Sequence, residues 1–278
     1  MISQRCLNEE GDQMNKLLFG RYIPQDSFVH HMDPRAKLVL SFLYVIVIFF
    51  ANNWWIYLLM TVVALLSIWA SKINFKLFVD GILPLIWIIA FTMLIQVFFG
   101  TGGHLYWQWG IFSVTSLGIL NAAYIFVRFT LIILISTLLT LSTSPIQISD
   151  AIESLLKPLE KVHFPVYEVA LMLSIALRFV PTLMDETESI MNAQRARGVD
   201  FGTGNIVQRI KKIIPILIPL FVSAFNRAED LATAMEARGY QGGAGRTKYR
   251  LLKWGIRDTI ATLIYLLMTV VVFALRFF

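Results

Sequence analysis

Charge is what this 278-residue chain has least of: 15% of its residues are charged and 57% are hydrophobic. A soluble domain carries about 25% charged residues, so too few are present here to cover a surface facing water. The same apolar content excludes a disordered chain. A single cysteine, Cys6, excludes an internal disulfide framework and any cysteine-based metal cluster. Histidine is also rare: His30, His31 and His163 lie in polar segments near proline, and His104 lies between two apolar runs. There is no His-Glu-x-x-His, no Gly-x-Ser-x-Gly and no carboxylate pair inside an apolar run, so no catalysis by this chain is expected. A Walker-type Gly-x-x-x-x-Gly-Lys-Ser/Thr is missing too, which argues against ATP binding of that kind. What remains is an integral membrane protein with a mean hydropathy of +0.67.

The net charge of +6 could point to nucleic acid, but on a membrane chain excess Lys and Arg more often marks cytoplasmic loops beside anionic lipid. Distribution decides between these. Of the charged residues, 10 fall in 1–37, 4 in 38–141, 25 in 142–253 and 3 in 254–278. A nearly uncharged block thus precedes a charged one, and no nucleic-acid partner is expected. Breaks in the apolar runs predict spans near 38–51, 54–70, 82–99, 117–141 and 259–275, five in all. The first is short and recruits Ala36 and a snorkelling Lys37.

Lys72 and Lys76 lie in the connection around 71–80, and Arg35 and Lys37 precede the first span. The turn at Asn52-Asn53 and the segment from Gly100 to Ser116 carry no Lys or Arg. The positive-inside rule therefore predicts a cytoplasmic N-terminus, a cytoplasmic charged block and an external C-terminus. Trp54, Trp55, Trp107 and Trp109 fall on the external side, as an aromatic belt would. No cleavable leader is expected among Asn8, Glu9, Glu10 and Asp12, and Met14-Asn15-Lys16 reads as a start preceded by an extension over 1–13. Inside the membrane, polar groups are few: Asp80 near a boundary, Gln96, Asn121 and Arg128. Arg128 is either a substrate or proton site, or a structural arginine held by a carbonyl or lipid headgroup; the second reading is the better founded.

The charged block alternates helical runs with punctuation. Ser144-Pro145 opens a short helix whose Ile148, Ile152, Leu155 and Leu156 recur at three- and four-residue spacing. Pro158 and Pro165 follow, then two long helices, near 166–197 and 206–238. Asp200-Phe201-Gly202-Thr203-Gly204 separates them, and Gln241-Gly242-Gly243-Ala244-Gly245 follows the second. The long helices end alike. Glu188, Ile190, Ala193, Ala196, Arg197 and Gly198 match Glu229, Leu231, Ala234, Ala237, Arg238 and Gly239, each pair offset by 41 residues. Capping alone would explain one Arg-Gly end, since Arg complements the helix dipole and Gly is the favoured terminator. Two copies over eleven positions exceed that, because capping requires neither the glutamate nor the alanines. Paired docking of two similar ends on two similar partner surfaces is the reading favoured.

These paired ends, with Arg178-Phe179-Val180-Pro181, Ala193-Gln194-Arg195-Ala196-Arg197-Gly198 and the early Met32-Asp33-Pro34-Arg35-x-Lys37, resemble the T component of energy-coupling factor (ECF) transporters, from about residue 20 to 275. The resemblance implies an all-α integral membrane protein: about five transmembrane helices plus a cytoplasmic coupling domain of amphipathic helices. Its parts would be a cytoplasmic tail over 1–35, four spans over 36–141, the coupling domain over 142–252 and a last span over 253–278. It implies two ATP-binding-cassette ATPase partners, docked at Ala196-Arg197-Gly198 and Ala237-Arg238-Gly239, with ATP and Mg²⁺ bound by those partners and no cofactor in this chain. A small vitamin-binding membrane subunit, the S component, would contact apolar first halves of the long helices, such as Leu171, Leu173, Ile175, Leu177 and 213–225. A bacterial cell membrane is the implied location.

Three other readings compete. A self-sufficient secondary transporter would use 166–183 and 213–225 as sixth and seventh spans. Against it, the first contains Glu168 and Arg178, and the second is about 13 residues long with Pro215 and Pro219 inside. An intramembrane enzyme lacks a catalytic constellation, and an ordinary ABC permease would need its own substrate path.

Overall fold

The computed structural model describes residues 22–23, 25–100, 102–109, 112–162, 165–203, 205–242 and 252–277. The extension over 1–13, Cys6, Thr101, His163, Gly204 and the break at Gly243-Ala244-Gly245 lie outside the described residues. The chain is an all-α membrane protein whose described residues form helices α1 (Pro34–Ile48), α2 (Trp54–Ser71), α3 (Phe75–Ile82), α4 (Ile86–Phe99), α5 (Ser116–Ser142), α6 (Pro145–Leu156), α7 (Val166–Ala196), α8 (Ile206–Ala237) and α9 (Ile256–Phe277). Two short strands, β1 (Leu105–Trp109) and β2 (Phe112–Thr115), pair antiparallel between α4 and α5, where the sequence suggested only a loop.

Local chemistry explains the boundaries. Asp33 caps α1 by accepting from the Arg35 backbone N–H, with Pro34 in the first turn where no donor is missed. Asn74 caps α3 in the same way through Lys76, and Thr115 caps α5 through Gly118. Leu83-Pro84-Leu85 forms a 3₁₀ turn joining α3 to α4, so the helical segment begins inside the connection expected around 71–80. Pro181 lies inside α7, and Pro215 and Pro219 lie inside α8 without ending either helix.

Five helical segments are long and apolar enough to cross a membrane: Trp54–Ser71, Phe75–Phe99, Ser116–Ser142, Val166–Ala196 and Ile256–Arg276. The number matches the sequence reading, but the set does not. The 15 residues of α1 fall short of the roughly 17 a span needs, while the first half of α7 qualifies on length and composition.

The chain divides into two compact units. The first joins Gly20–Ala151 to Leu252–Phe278, so the C-terminal helix returns to the N-terminal bundle. Tyr44 and Ile48 of α1, Ile56 and Met60 of α2, Ile135 and Leu141 of α5, and Met268 and Val272 of α9 meet in its core. The Tyr44 hydroxyl donates to the Met60 carbonyl at 3.0 Å, which satisfies the one polar atom that Tyr44 carries into the interior. Between α4 and α5 the backbones touch: a Cβ on Gly100 would stand 2.6 Å from the Gly118 Cα. The early Asp-Pro-Arg-x-Lys motif is a clasp. The Asp33 N–H donates to Asp258 Oδ1 at 2.7 Å, and the buried Lys37 ammonium donates to the carbonyls of His30 and of Ser142, the last residue of α5.

The described residues of the second unit, 152–162, 165–203 and 205–242, contain the end of α6, a 3₁₀ turn over Lys157–Val162, and α7 with α8.

Candidate docking sites at the paired helix ends

The two ends of the repeat have one backbone geometry. At the first, the Val199 N–H reaches back to the Gln194 carbonyl at 3.0 Å and the Gly198 N–H to the Arg195 carbonyl at 2.9 Å. At the second, Tyr240 bonds to Met235 at 3.0 Å and Gly239 to Glu236 at 2.8 Å. Both are Schellman motifs, in which the residue after the cap is left-handed, and Gly198 and Gly239 have φ of +87° and +74°. A Cβ on either glycine would meet nothing within 4 Å, so backbone conformation alone calls for glycine there.

Capping therefore explains the glycines but not the arginines. A Schellman turn uses only the backbone of its cap residue, and Arg197 and Arg238 both have exposed side chains with no hydrogen bond or ion pair to any described residue. Ala193, Ala196, Ala234 and Ala237 are exposed as well, so each end presents small residues followed by a guanidinium with no partner among the described residues. The connection after the first end is fastened elsewhere. Lys212 donates to the Asp200 and Thr203 carbonyls, and Arg209 to the Gly202 carbonyl. The Asp200 carboxylate accepts from the Gly202 N–H, and that bond, then one from Thr203, holds its pKa below the usual carboxylate value.

Sequence reasoning missed two members of this region. Glu186 and Arg227 form an ion pair at 2.9 Å between α7 and α8, and they too are offset by 41 residues. Extending the repeat two positions upstream would have found them. Arg178 lines a groove of about 760 Å³ with Leu171, Ile175, Met235, Arg238 and Tyr240, so the start of α7 lies beside the end of α8. Of the apolar residues expected to face a membrane partner, Leu171 and Ile175 line this groove, Leu177 is half-buried and Leu173 is exposed. The larger bare surface is on α8, where Leu217, Ile218, Phe221, Val222 and Phe225 surround an open apolar depression.

In the first unit, Arg128 donates from Nη2 to the Tyr57 hydroxyl at 2.7 Å and to the Ala51 carbonyl at 3.2 Å. It is held by neutral oxygens, in agreement with the structural reading of that residue. Among the described residues, no group of three or more His, Cys, Asp or Glu side chains is placed to hold a metal ion.

The family model described as a cobalt transport protein, CbiQ, matches residues 25–249, which takes in both Ala-Arg-Gly ends. The energy-coupling factor transporter transmembrane protein EcfT of Lacticaseibacillus paracasei is 59% identical over 95% of this chain and 100% of its own length. The chain belongs to the EcfT family. The EcfT of Streptococcus equi subsp. equi is 56% identical over 95% of this chain and 98% of its own. A Listeria monocytogenes relative, EcfT 1, is 50% identical over 95% and 99%. As an EcfT, the chain is a transmembrane component of an energy-coupling transporter, and the paired ends lie within the region that defines the family.

Proposed function

We propose that this EcfT chain couples two partner ATP-binding-cassette ATPases to a small membrane subunit that binds a vitamin or other micronutrient. It performs no chemistry itself; ATP and Mg²⁺ are held by the ATPases. The observation that carries this reading is the pair of arginines, Arg197 and Arg238, that have no side-chain partner among the described residues and stand on matching Schellman ends. Each guanidinium enters a groove of one ATPase, with the alanines at its base allowing close approach. When ATP draws the two ATPases together, the helix ends move relative to one another, and α7 and α8 carry that motion to the membrane subunit. The exposed apolar face of α8, with Leu173 on α7, is where that subunit rests, and Leu171, Ile175 and Leu177 back the α7 side. The N-terminus and coupling helices are cytoplasmic and the C-terminus external, in the membrane of a bacterial cell.

One observation favours the alternative, a self-sufficient secondary transporter: α7 is long and apolar enough to cross a membrane. Co-purification separates the two. The wild-type chain should bring down two ATPases and one small membrane protein. The double variant Arg197→Ala/Arg238→Ala should lose the ATPases, because truncating one partner of a buried charge pair costs roughly 2–5 kcal/mol of binding. Lysine should rescue poorly where the contact is bidentate. A double variant that assembles and transports normally returns both arginines to helix capping, and a chain that transports without ATPases establishes the alternative.

A further inference from the structure

Arg128 is left unexplained by coupling, and its surroundings are those of an anion site. Its Nε and Nη2 atoms bond to the Tyr57 hydroxyl and the Ala51 carbonyl, while Nη1 has no hydrogen bond to any described residue. No described carboxylate lies within ion-pair distance of it. The guanidinium borders a small open pocket of about 310 Å³ that is also lined by the carboxamides of Asn52, Gln96 and Asn121 and by Tyr124. Three carboxamides and one cation can each turn a hydrogen-bond donor toward an anion, and no carboxylate lines the pocket to repel one.

Depth narrows the ligand. The Tyr124 ring stacks on Tyr57 with centroids 5.0 Å apart and leans on Trp54, the first residue of α2, at 6.3 Å. Arg128 follows Tyr124 by four residues, so it lies about 6 Å along α5 from the level at which α2 begins. Counted from Trp54, where the α2 span opens, that is little more than one helical turn into the span, among aromatic side chains of the kind that collect near a bilayer surface and within reach of a headgroup. A cation there, held by two neutral oxygens and by the Phe49 and Tyr57 rings at 5.7 and 6.0 Å, has no anionic partner among the described residues in a medium of low dielectric constant.

We infer that Arg128, with Asn52, Gln96 and Asn121, binds a phosphate oxyanion, supplied by the headgroup of a phospholipid in the leaflet beside the Asn52-Asn53 turn. The free Nη1 edge donates to one phosphate oxygen, as guanidinium–phosphate pairs do, and the carboxamides turn their NH₂ groups to the others. The acyl chains then run along the exposed apolar surfaces of α4 and α5, among them Phe91, Leu94, Ile95, Phe126 and Phe129.

Native mass spectrometry of the full-length chain in detergent tests this with phosphatidylglycerol and, separately, inorganic phosphate as probes. Wild type should retain one phosphatidylglycerol saturably. Arg128→Gln should weaken that binding by about tenfold, the scale of one charge-assisted pair. Asn121→Leu, at an exposed position with no part in the Tyr57 and Ala51 bonds, should weaken it without altering thermal stability. Displacement of the lipid by millimolar inorganic phosphate would keep the oxyanion chemistry and overturn the lipid source. Equal phosphatidylglycerol binding by wild type, Arg128→Gln and Asn121→Leu would overturn the site.

Discussion

Glu186 and Arg227 occupy equivalent positions of the two long helices, 41 residues apart, and bond to each other at 2.9 Å. Contact between equivalent residues means the two copies of the repeat meet at a point of local pseudo-symmetry. From each of these residues the helix runs eleven positions to its terminal arginine, an arm of about 16 Å at 1.5 Å per residue. Arms of equal length from one contact are what the proposed docking on two similar partner surfaces would call for.

That contact should be measurable. The pair is part-exposed, with side-chain exposures of 34% and 23%, so solvent screening limits it to about 0.5–1 kcal/mol. A double-mutant cycle with Glu186→Gln and Arg227→Met, read by thermal unfolding in detergent, should show coupling of that size. The swapped pair Glu186→Arg/Arg227→Glu should recover most of the lost stability and uptake. Additive single effects would remove the pair from the contact between the helices.

Two glycines separate strain from collision. At Gly198 the φ is +87° and the space around a Cβ is empty, so Gly198→Asn should be nearly neutral and Gly198→Ala should cost about 1 kcal/mol. At Gly100 the φ is an ordinary −68°, but a Cβ would meet the Gln96 carbonyl oxygen and the Gly118 Cα at 2.5 and 2.6 Å. Gly100→Ala should therefore destabilise the α4–α5 pair by about 1–3 kcal/mol, with no rescue from asparagine. Melting temperatures of the four variants check both statements.

His30 adds a pH dependence. Its Nε2 lies 3.0 Å from the Ile23 carbonyl and so carries the proton, leaving Nδ1 to accept from the Ser27 hydroxyl at 2.6 Å. Burial first, and then the Lys37 charge, hold its pKa below 6.5. The folded state thus binds fewer protons than the unfolded chain, and stability is complete above about pH 6.5 and declines as pH falls below it. Between pH 7.5 and 5.5 the wild type should lose more thermal stability than His30→Gln. Parallel curves for the two proteins would show that His30 does not titrate in this way.

Orientation can be settled with cysteines placed in a Cys6→Ser background. Tyr106→Cys, on the β1 strand, should react with a membrane-impermeant reagent applied outside intact cells. Gln241→Cys, just after the second Ala-Arg-Gly, should react only after permeabilisation. Labelling of position 241 from outside would reverse the proposed topology.

Much of this protein was legible in its residues because the signals are local. Apolar runs broken by Asn52-Asn53 or by Gly100 report how each stretch prefers lipid to water, and Pro145, Gly198 and Gly239 act on backbone within a turn of themselves. The 41-residue repeat is likewise visible without any coordinates. Length misled where local preference was ambiguous: α1 closes after 15 residues, whereas the first half of α7 is as apolar as a span. The strand β1 was hidden because Leu105, Tyr106 and Trp107 are all exposed and so set no alternating pattern, and β2 is only four residues long.

Tertiary structure decided which distant groups meet. Nothing near Asp33 announces Asp258, 225 residues away, and nothing near Arg128 announces the Ala51 carbonyl or the Tyr57 hydroxyl. The same holds for Arg178 and Arg238 in one groove. Hydropathy, helix caps and the repeat depend on a residue and its chain neighbours, so a helical membrane protein with two matching cationic ends can be read without any coordinates. Helix partners depend on shape and polar satisfaction across the whole packed bundle, so only the tertiary structure could show which charges are tied and which remain free.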